Sequence, residues 1–414
     1  MERASTTATG TDATDGLPLP RAFGNYLLFD RIGAGGMAEI FLGRASNEFG
    51  GARRLVVKEI LPQFSDDPGF ARMLIREAKL AAQLTHRNVV QVIDLGRESG
   101  RLFICMEYVE GYDLNQLLRR LSKQRLPLPA EFALLIIRET LAALDYAHRA
   151  HDENGAPFAI VHRDVSPSNV LISFDGEVKL CDFGIARALS SEPDEGGEEE
   201  SARMQRSRLA GKSAYMAPEH ARGEEIDSRA DIFAAGILLW ELCAGRRLYK
   251  GTEPEMLAMA REARIPPLPD RGLPNPEQLQ TIFDRALARD PGSRFQSAAE
   301  MLEALDDYIF ASRLMGSELR FGAFLTEHFA DEMIDLRRTR EQAAQKALDT
   351  TGVTVTEVDE ATFPSDFPPV DSKIRERRSA EPGDRPGVFA TVALGAVVIS
   401  VVAAAATALA LWLL

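Results

Sequence analysis

The segment HRDVSPSN, residues 162–169, carries Asp164 and, five residues on, Asn169. A carboxylate can accept a proton and an amide oxygen is a hard ligand, so the pair suits proton handling beside a metal ion. Farther along, VKLCDFGIAR runs from an apolar strand into Asp182, Phe183 and Gly184, a second carboxylate at a strand end. Upstream, RIGAGGMAEIFLGR sets Gly33, Gly35 and Gly36 between two strand-like runs, 26–32 and 39–44. Glycines between strands let backbone amides approach a polyphosphate with no side chain in the way. The same pattern also makes a plain hairpin, and similar glycines mark dinucleotide sites. Here a strand, not a helix, follows them, which counts against the dinucleotide turn.

These groups need elements to position them. RRLVVKEIL is a β-branched run containing Lys58, and FARMLIREAKLAAQL has a helical stripe through Phe70, Met73, Leu74, Ala81 and Leu84. Glu77 falls in that stripe, and a carboxylate facing inward is costly unless paired. Lys58 on the neighbouring strand is the simplest partner. LFICMEYVEGYDL, residues 102–114, reads as an apolar strand entering a polar connector, and a long helix, 129–148, precedes the 162–169 loop. AYMAPEHARG carries Ala217, Pro218 and Glu219, DSRADIFAAGILLWELCAG is an apolar helix with Asp231 near its start, and RDPGSRF holds Arg294. Residues 311–347, with Leu314, Leu319, Phe324, Phe329 and Ile334 as the inward positions, predict a helical extension packed on the main domain.

With 414 residues, 45% of them hydrophobic, the chain can bury a large core in two domains or one bilobed one. A net charge of −14 argues against a nucleic-acid partner, which would need clustered lysine and arginine. Three cysteines in apolar runs (Cys105, Cys181, Cys243) fit a reducing compartment without disulfides. Residues 1–24 read as a disordered tail and 348–386 as a flexible juxtamembrane linker. Residues 387–414 are 28 in a row without a charge, against the ~20 that cross a bilayer. Lys373, Arg375, Arg377, Arg378 and Arg385 precede them, placing the N-terminal side in the cytoplasm. Trp412 suits the far interface. A buried Ala-rich helix is the alternative.

Singly, Asp164 is a loop carboxylate, Asp182 a turn residue and Asp231 a helix N-terminal charge. As a set in this order, the motifs over residues 25–310 resemble the eukaryotic-like protein kinases, in particular the bacterial Hanks-type serine/threonine kinases. The resemblance implies an α+β bilobal fold with a small β-rich N-lobe (25–108) and a helical C-lobe (109–310). The extension, the linker and a single-pass inner-membrane helix at 387–414 would follow. It also implies transfer of the ATP γ-phosphate to protein Ser/Thr hydroxyls with Mg2+, or Mn2+ in its place. By resemblance, the backbone of Gly33, Ala34, Gly35, Gly36 and Met37 covers the phosphates. Lys58 holds the α/β-phosphates and is fixed by Glu77, Asp182 and Asn169 hold metal, and Asp164 accepts the hydroxyl proton. Ile32, Ile40, Val57 and Leu171 sandwich the adenine, Met106 is the gatekeeper, Glu107 and Val109 offer backbone bonds, and Asp113 meets the ribose. Asp231 braces the catalytic loop, and Glu219 pairs with Arg294.

Three positions depart from the family pattern: Ala38 for the third glycine, Ser166 for the catalytic-loop lysine, and Lys212 for the threonine of the later GT element. In the family that lysine and that threonine meet beside the γ-phosphate, so the last two changes read as a swap, with Lys212 supplying the charge and Ser166 the hydroxyl. The other reading is a weakened site, in the extreme a nucleotide-binding pseudokinase scaffold. Arg163 beside Asp164 resembles kinases whose activation loop is ordered by phosphorylation. Ser201 and Ser207 are candidate autophosphorylation sites, with a second copy of the chain as the partner. The acidic run 192–200 is an alternative, phosphate-mimicking partner for Arg163. Pro167 matches the Ser/Thr form of the loop.

Overall fold

The computed structural model describes residues 18–45, 53–152, 154–183 and 213–351. Arg21–Phe23 (β1), Tyr26–Ala34 (β2), Ala38–Ala45 (β3), Arg53–Ile60 (β4), Val92–Glu98 (β5) and Arg101–Glu107 (β6) form an antiparallel sheet in the order β1-β2-β3-β4-β6-β5. Strand β4 is internal, Val57 facing Phe41 on one side and Cys105 on the other. Its alternation sends Val56 and Ile60 to one face and Leu55 and Val57 to the other, each face with its own apolar cluster. The N-terminal tail ends sooner than expected. Gly24, at φ +55, turns β1 back onto β2, and Phe23 is buried edge-on against Phe103 at 5.3 Å.

Helix α1 (Pro62–Ser65) leads into α2 (Pro68–Ala82), which starts where sequence and chemistry agree. Asp67 caps it by accepting from the backbone of Gly69 at 2.8 Å and Phe70 at 3.2 Å, with Pro68 in the first turn. Its buried face is Phe70, Ala71, Leu74, Glu77, Ala78 and Ala81, the predicted stripe with the glutamate in it.

Below the connector 108–110, Gly111–Asp113 (β7), Val170–Ser173 (β8) and Val178–Leu180 (β9) make a second small antiparallel sheet. Around it lie Leu114–Gln124 (α3), Ala130–His148 (α4), Pro218–Arg222 (α5), Arg229–Ala244 (α6), Glu253–Glu262 (α7), Pro276–Ala286 (α8) and Ala298–Ser312 (α9). Helix α6 has no polar side, as a helix buried all round should not, and Ile232, Phe233, Ile237, Leu239 and Trp240 are inaccessible to solvent. Gly236 lets it approach α8, since a Cβ there would lie 3.0 Å from Ala286 and Leu287.

The extension is a helix, Glu318–Thr351 (α10), but its predicted inward face is out of phase at two of its positions. Phe329 is buried as expected and Leu314 and Phe324 pack partly against the core, but Leu319 is 83% and Ile334 51% exposed, and Phe321, Leu325 and Met333 are buried instead. Five-residue steps rotate ~140° around a helix and four-residue steps ~40°, so only the latter keep one face. Of the earlier expectations, most of the N-terminal tail, the 184–212 segment with Lys212, Ser201, Ser207 and the acidic run, and nearly all of the linker lie outside the described residues. So does the whole of the apolar 387–414 stretch. Among the described residues no helix is long and apolar enough to cross a membrane.

Candidate active site

Strand β4 brings Lys58 to the cleft between the sheet and the loop 162–169. Its register sets Lys58 opposite Ile40 on β3 and Ile104 on β6. The ammonium donates to both oxygens of Asp182, at 2.9 and 2.8 Å. Burial pulls the lysine pKa down, but the Asp182 charge and hydrogen bond, helped by Cys181 and Asp164, outweigh it and leave it above the ordinary value. The expected Lys58–Glu77 pair is therefore not the one formed: among the described residues the ammonium's ion-pair partner is Asp182. The reason is local. Asp182 lies beyond β9 in the left-handed region, φ +66, and both of its carboxylate oxygens reach the lysine.

The loop 162–169 is held from beneath by Asp231 at the start of α6. Its carboxylate accepts from the backbone N–H of His162 at 2.8 Å and of Arg163 at 2.7 Å, and meets His148 Nε2 at 2.8 Å. Burial pushes this carboxyl up, yet the His148 and His162 interactions outweigh it and hold it below the ordinary range. Arg163 sits at φ +64, outside the regions most residues adopt, and the two Asp231 bonds, to its own amide and to that of His162, secure that geometry. His162 Nε2 meets the Cys181 carbonyl at 2.9 Å, tying the loop to the strand that precedes Asp182.

Within the loop, Asn169 Nδ2 donates to the Asp164 carbonyl at 2.8 Å and to Asp164 Oδ2 at 2.9 Å. That fixes the amide with its oxygen as the free end, so Asn169 and Asp182 present hard oxygen donors of the kind a Mg2+ ion takes. Ser166 is buried and its hydroxyl lies 3.1 Å from that of Ser168.

Gly33 and Ala34 end β2, paired with Ile40 and Glu39 of β3, and Gly35 donates its N–H to the Ala38 carbonyl at 2.9 Å, closing the turn over Gly36 and Met37. A Cβ at Gly36 would meet nothing within 4 Å, so protein packing does not demand that glycine; open space remains above the cleft. Ala38, in place of the third glycine, has its methyl buried in the cleft-side cluster.

That cluster collects Ile32, Met37, Ile40, Met106, Val109 and Leu171, as expected of the base-binding wall. Val57 is not there. It packs on the opposite face with Phe41, Leu55 and Cys105, and Val56 takes its place. In a strand only residues two apart share a face, so Lys58 itself marks Val56 and not its neighbour. Cys181 also joins the wall, and burial raises its thiol well above the ordinary range. The Glu107 side chain pairs with Lys179 at 2.9 Å, and its backbone N–H donates to the Gln91 carbonyl at 2.9 Å. Asp113 caps α3, accepting from the Gln116 N–H at 2.8 Å.

Residues 26–306 match the protein kinase domain family. The chain belongs to that family. It is 37% identical over 335 residues to tyrosine-protein kinase MasK of Myxococcus xanthus, a match covering 80% of this chain and 50% of that one. Serine/threonine-protein kinase PrkC of Bacillus subtilis is 33% identical over 302 residues, covering 73% of this chain and 43% of PrkC. The chain thus spans half the length, or less, of these curated relatives. The crystal structure of the Mycobacterium tuberculosis PknI kinase domain superposes with a TM-score of 0.51 at 29% identity, covering 71% of this chain and all of that one. This kinase family fold is the bilobal arrangement described above, a β-rich lobe over a helical one.

Proposed function

We propose that the protein is a serine/threonine kinase that transfers the γ-phosphate of ATP to protein hydroxyls, itself included. One observation carries the reading: Lys58, Asp164, Asn169 and Asp182 converge beneath the glycine turn, each held by named hydrogen bonds. An ammonium has three donors, and two of Lys58's go to Asp182, leaving a third for a phosphate oxygen. Asp164, oriented by Asn169, takes the proton from the attacking hydroxyl. Asp182 and Asn169 would hold Mg2+, or Mn2+, which supplies charge neutralisation on the phosphates. Ile32, Ile40, Val56 and Leu171 enclose the base, and the Glu107 and Val109 backbone reads its edge. Asp113, with one oxygen on the α3 cap, offers the other to the ribose. Glu77 is kept as a site residue that reaches Lys58 only after α2 or Asp182 shifts.

Lys212 and Ser166 enter as an exchanged pair at the γ-phosphate. The acceptor class rests on Pro167 and on relatives named as serine/threonine kinases, PrkC among them, against MasK, which is named a tyrosine kinase. Residues 387–414 are proposed to anchor the chain in the inner membrane with the catalytic region cytoplasmic. Incubation with radiolabelled ATP and Mg2+, followed by phosphoamino-acid analysis, tests the whole: wild type labels on serine or threonine, and Asp164→Ala does not. Equal labelling of both would defeat the proposal, and labelling confined to tyrosine would correct the acceptor. A second reading, a nucleotide-binding scaffold without transfer, is favoured by Ser166 alone. It requires saturable Mg·ATP binding with no label at all.

A further inference from the structure

Helix α10 begins on the C-lobe and ends on the N-lobe. Its first half is seated tightly: a Cβ at Gly322 would lie 2.7 Å from the Asp175 carbonyl, and one at Gly176 2.1 Å from that of Glu318. Phe321 stacks on Phe132 of α4 at 4.8 Å. At Phe329 the backbone leaves helical geometry (φ −132, ψ 16), and beyond this break the helix passes the connector 108–110. It ends with Ala344 and Ala347 buried against Leu27, Phe29 and Leu42 of β2 and β3.

Between these two anchor points the helix grips the connector itself. Arg337 Nε donates to Glu110 at 3.0 Å, and Glu110 also accepts from Arg54 of β4 at 3.2 Å. Arg340 donates to the Tyr108 hydroxyl, with its guanidinium 5.4 Å from the centre of that ring. Tyr108 and Glu110 flank Val109, whose backbone is assigned above to the adenine edge. Movement of one lobe against the other would bend this connector, and bending it must disturb both arginine contacts. Arg337 and Arg340 lie beyond the 26–306 stretch that matches the family, whereas Tyr108, Glu110 and Arg54 lie within it.

We propose that residues 330–351 form an interlobe strap in which Arg337 and Arg340 are positioning residues, holding the connector backbone ready for the nucleotide base. The inference rests on the ATP-binding reading. A connector that is ready only part of the time weakens apparent affinity by that fraction, so the strap should act on nucleotide KM more than on the chemical step.

The test uses the full chain. Arg337→Ala/Arg340→Ala is compared with wild type and with Arg320→Ala, which breaks an exposed contact to Glu131, 3.4 Å long, on the C-lobe half alone. ATP KM and kcat for autophosphorylation are measured beside thermal unfolding. The strap predicts an ATP KM raised about tenfold in the double variant, with kcat at saturation little changed. Arg320→Ala keeps the wild-type KM. An unchanged KM in the folded double variant, or an equal rise in Arg320→Ala, overturns the strap. If the double variant does not fold, Arg340→Lys, which keeps the charge but loses the planar fork, is read the same way with a smaller rise expected. A wild type that shows no Mg·ATP binding would bring down the kinase reading and the strap together, whereas a normal wild type with unaffected variants sinks the strap alone.

Discussion

Glu219→Gln is the perturbation whose cost can be worked most directly from the structure. Glu219 and Arg294 are 5% and 0% exposed, and both guanidinium NH2 groups donate to the carboxylate at 2.7 Å. Arg294 also donates to three carbonyls, of Ala288 at 2.8 Å, Arg229 at 3.1 Å and Arg289 at 3.2 Å, and stands 4.7 Å from the Phe233 ring centre. Glutamine keeps the shape but removes the charge and turns an amide N–H toward a guanidinium N–H. Breaking a buried pair from one side costs about 3–5 kcal/mol, and the three carbonyls that still solvate the cation favour the lower half of that range. At ~2–4 °C per kcal/mol for a domain of this size, thermal unfolding should fall by ~6–16 °C. Arg294→Met should cost more, since it strands the Glu219 carboxylate and three buried carbonyls together. Scanning fluorimetry of wild type, both single variants and the double gives the answer. A drop below ~3 °C for Glu219→Gln, or an Arg294→Met variant as stable as wild type, would refute the reasoning.

Lys212→Ala should lower phosphoryl transfer by ~10²-fold or more if that lysine supplies the missing catalytic-loop charge; untouched transfer rules the exchange out. Asp231 supplies a pH signature. Its folded pKa lies below the unfolded value of ~3.9, so its contribution is complete above that value and lost as pH falls through the folded one. Urea midpoints measured from acid to neutral pH should therefore drop on the acid side in wild type and run flatter there in Asp231→Asn, from a lower plateau. Identical acid limbs would count against this assignment. Deleting residues 387–414 should move the protein from the membrane pellet to the supernatant after alkaline extraction, and a deletion that stays in the pellet removes the anchor reading.

Much of the site was legible in local chemistry. The Asp164–Asn169 spacing, the glycines between strands and the strand-end Asp182 are short-range patterns, and the structure brings all three to one cleft. The buried stripe of α2 and the inward Glu77 likewise follow from helical periodicity alone. The Glu219–Arg294 pair was anticipated too, though only through the family resemblance.

What the sequence left open is what depends on competition between distant groups. The sequence offered Lys58 two acids, Glu77 and Asp182, and only the tertiary structure, with Asp182 at φ +66 just after β9, decided for Asp182. Val57 was misplaced by one residue although the alternation from Lys58 could have shown it, whereas the phase of α10 needed its docking partners. That helix has apolar residues on several faces. It was the close approach permitted by Gly176 and Gly322 on the C-lobe, and the small Ala344 and Ala347 against the N-lobe, that selected which face turned inward. Periodicity states that a helix has a buried side; which side, and across which hinge it lies, is set by the surfaces it meets.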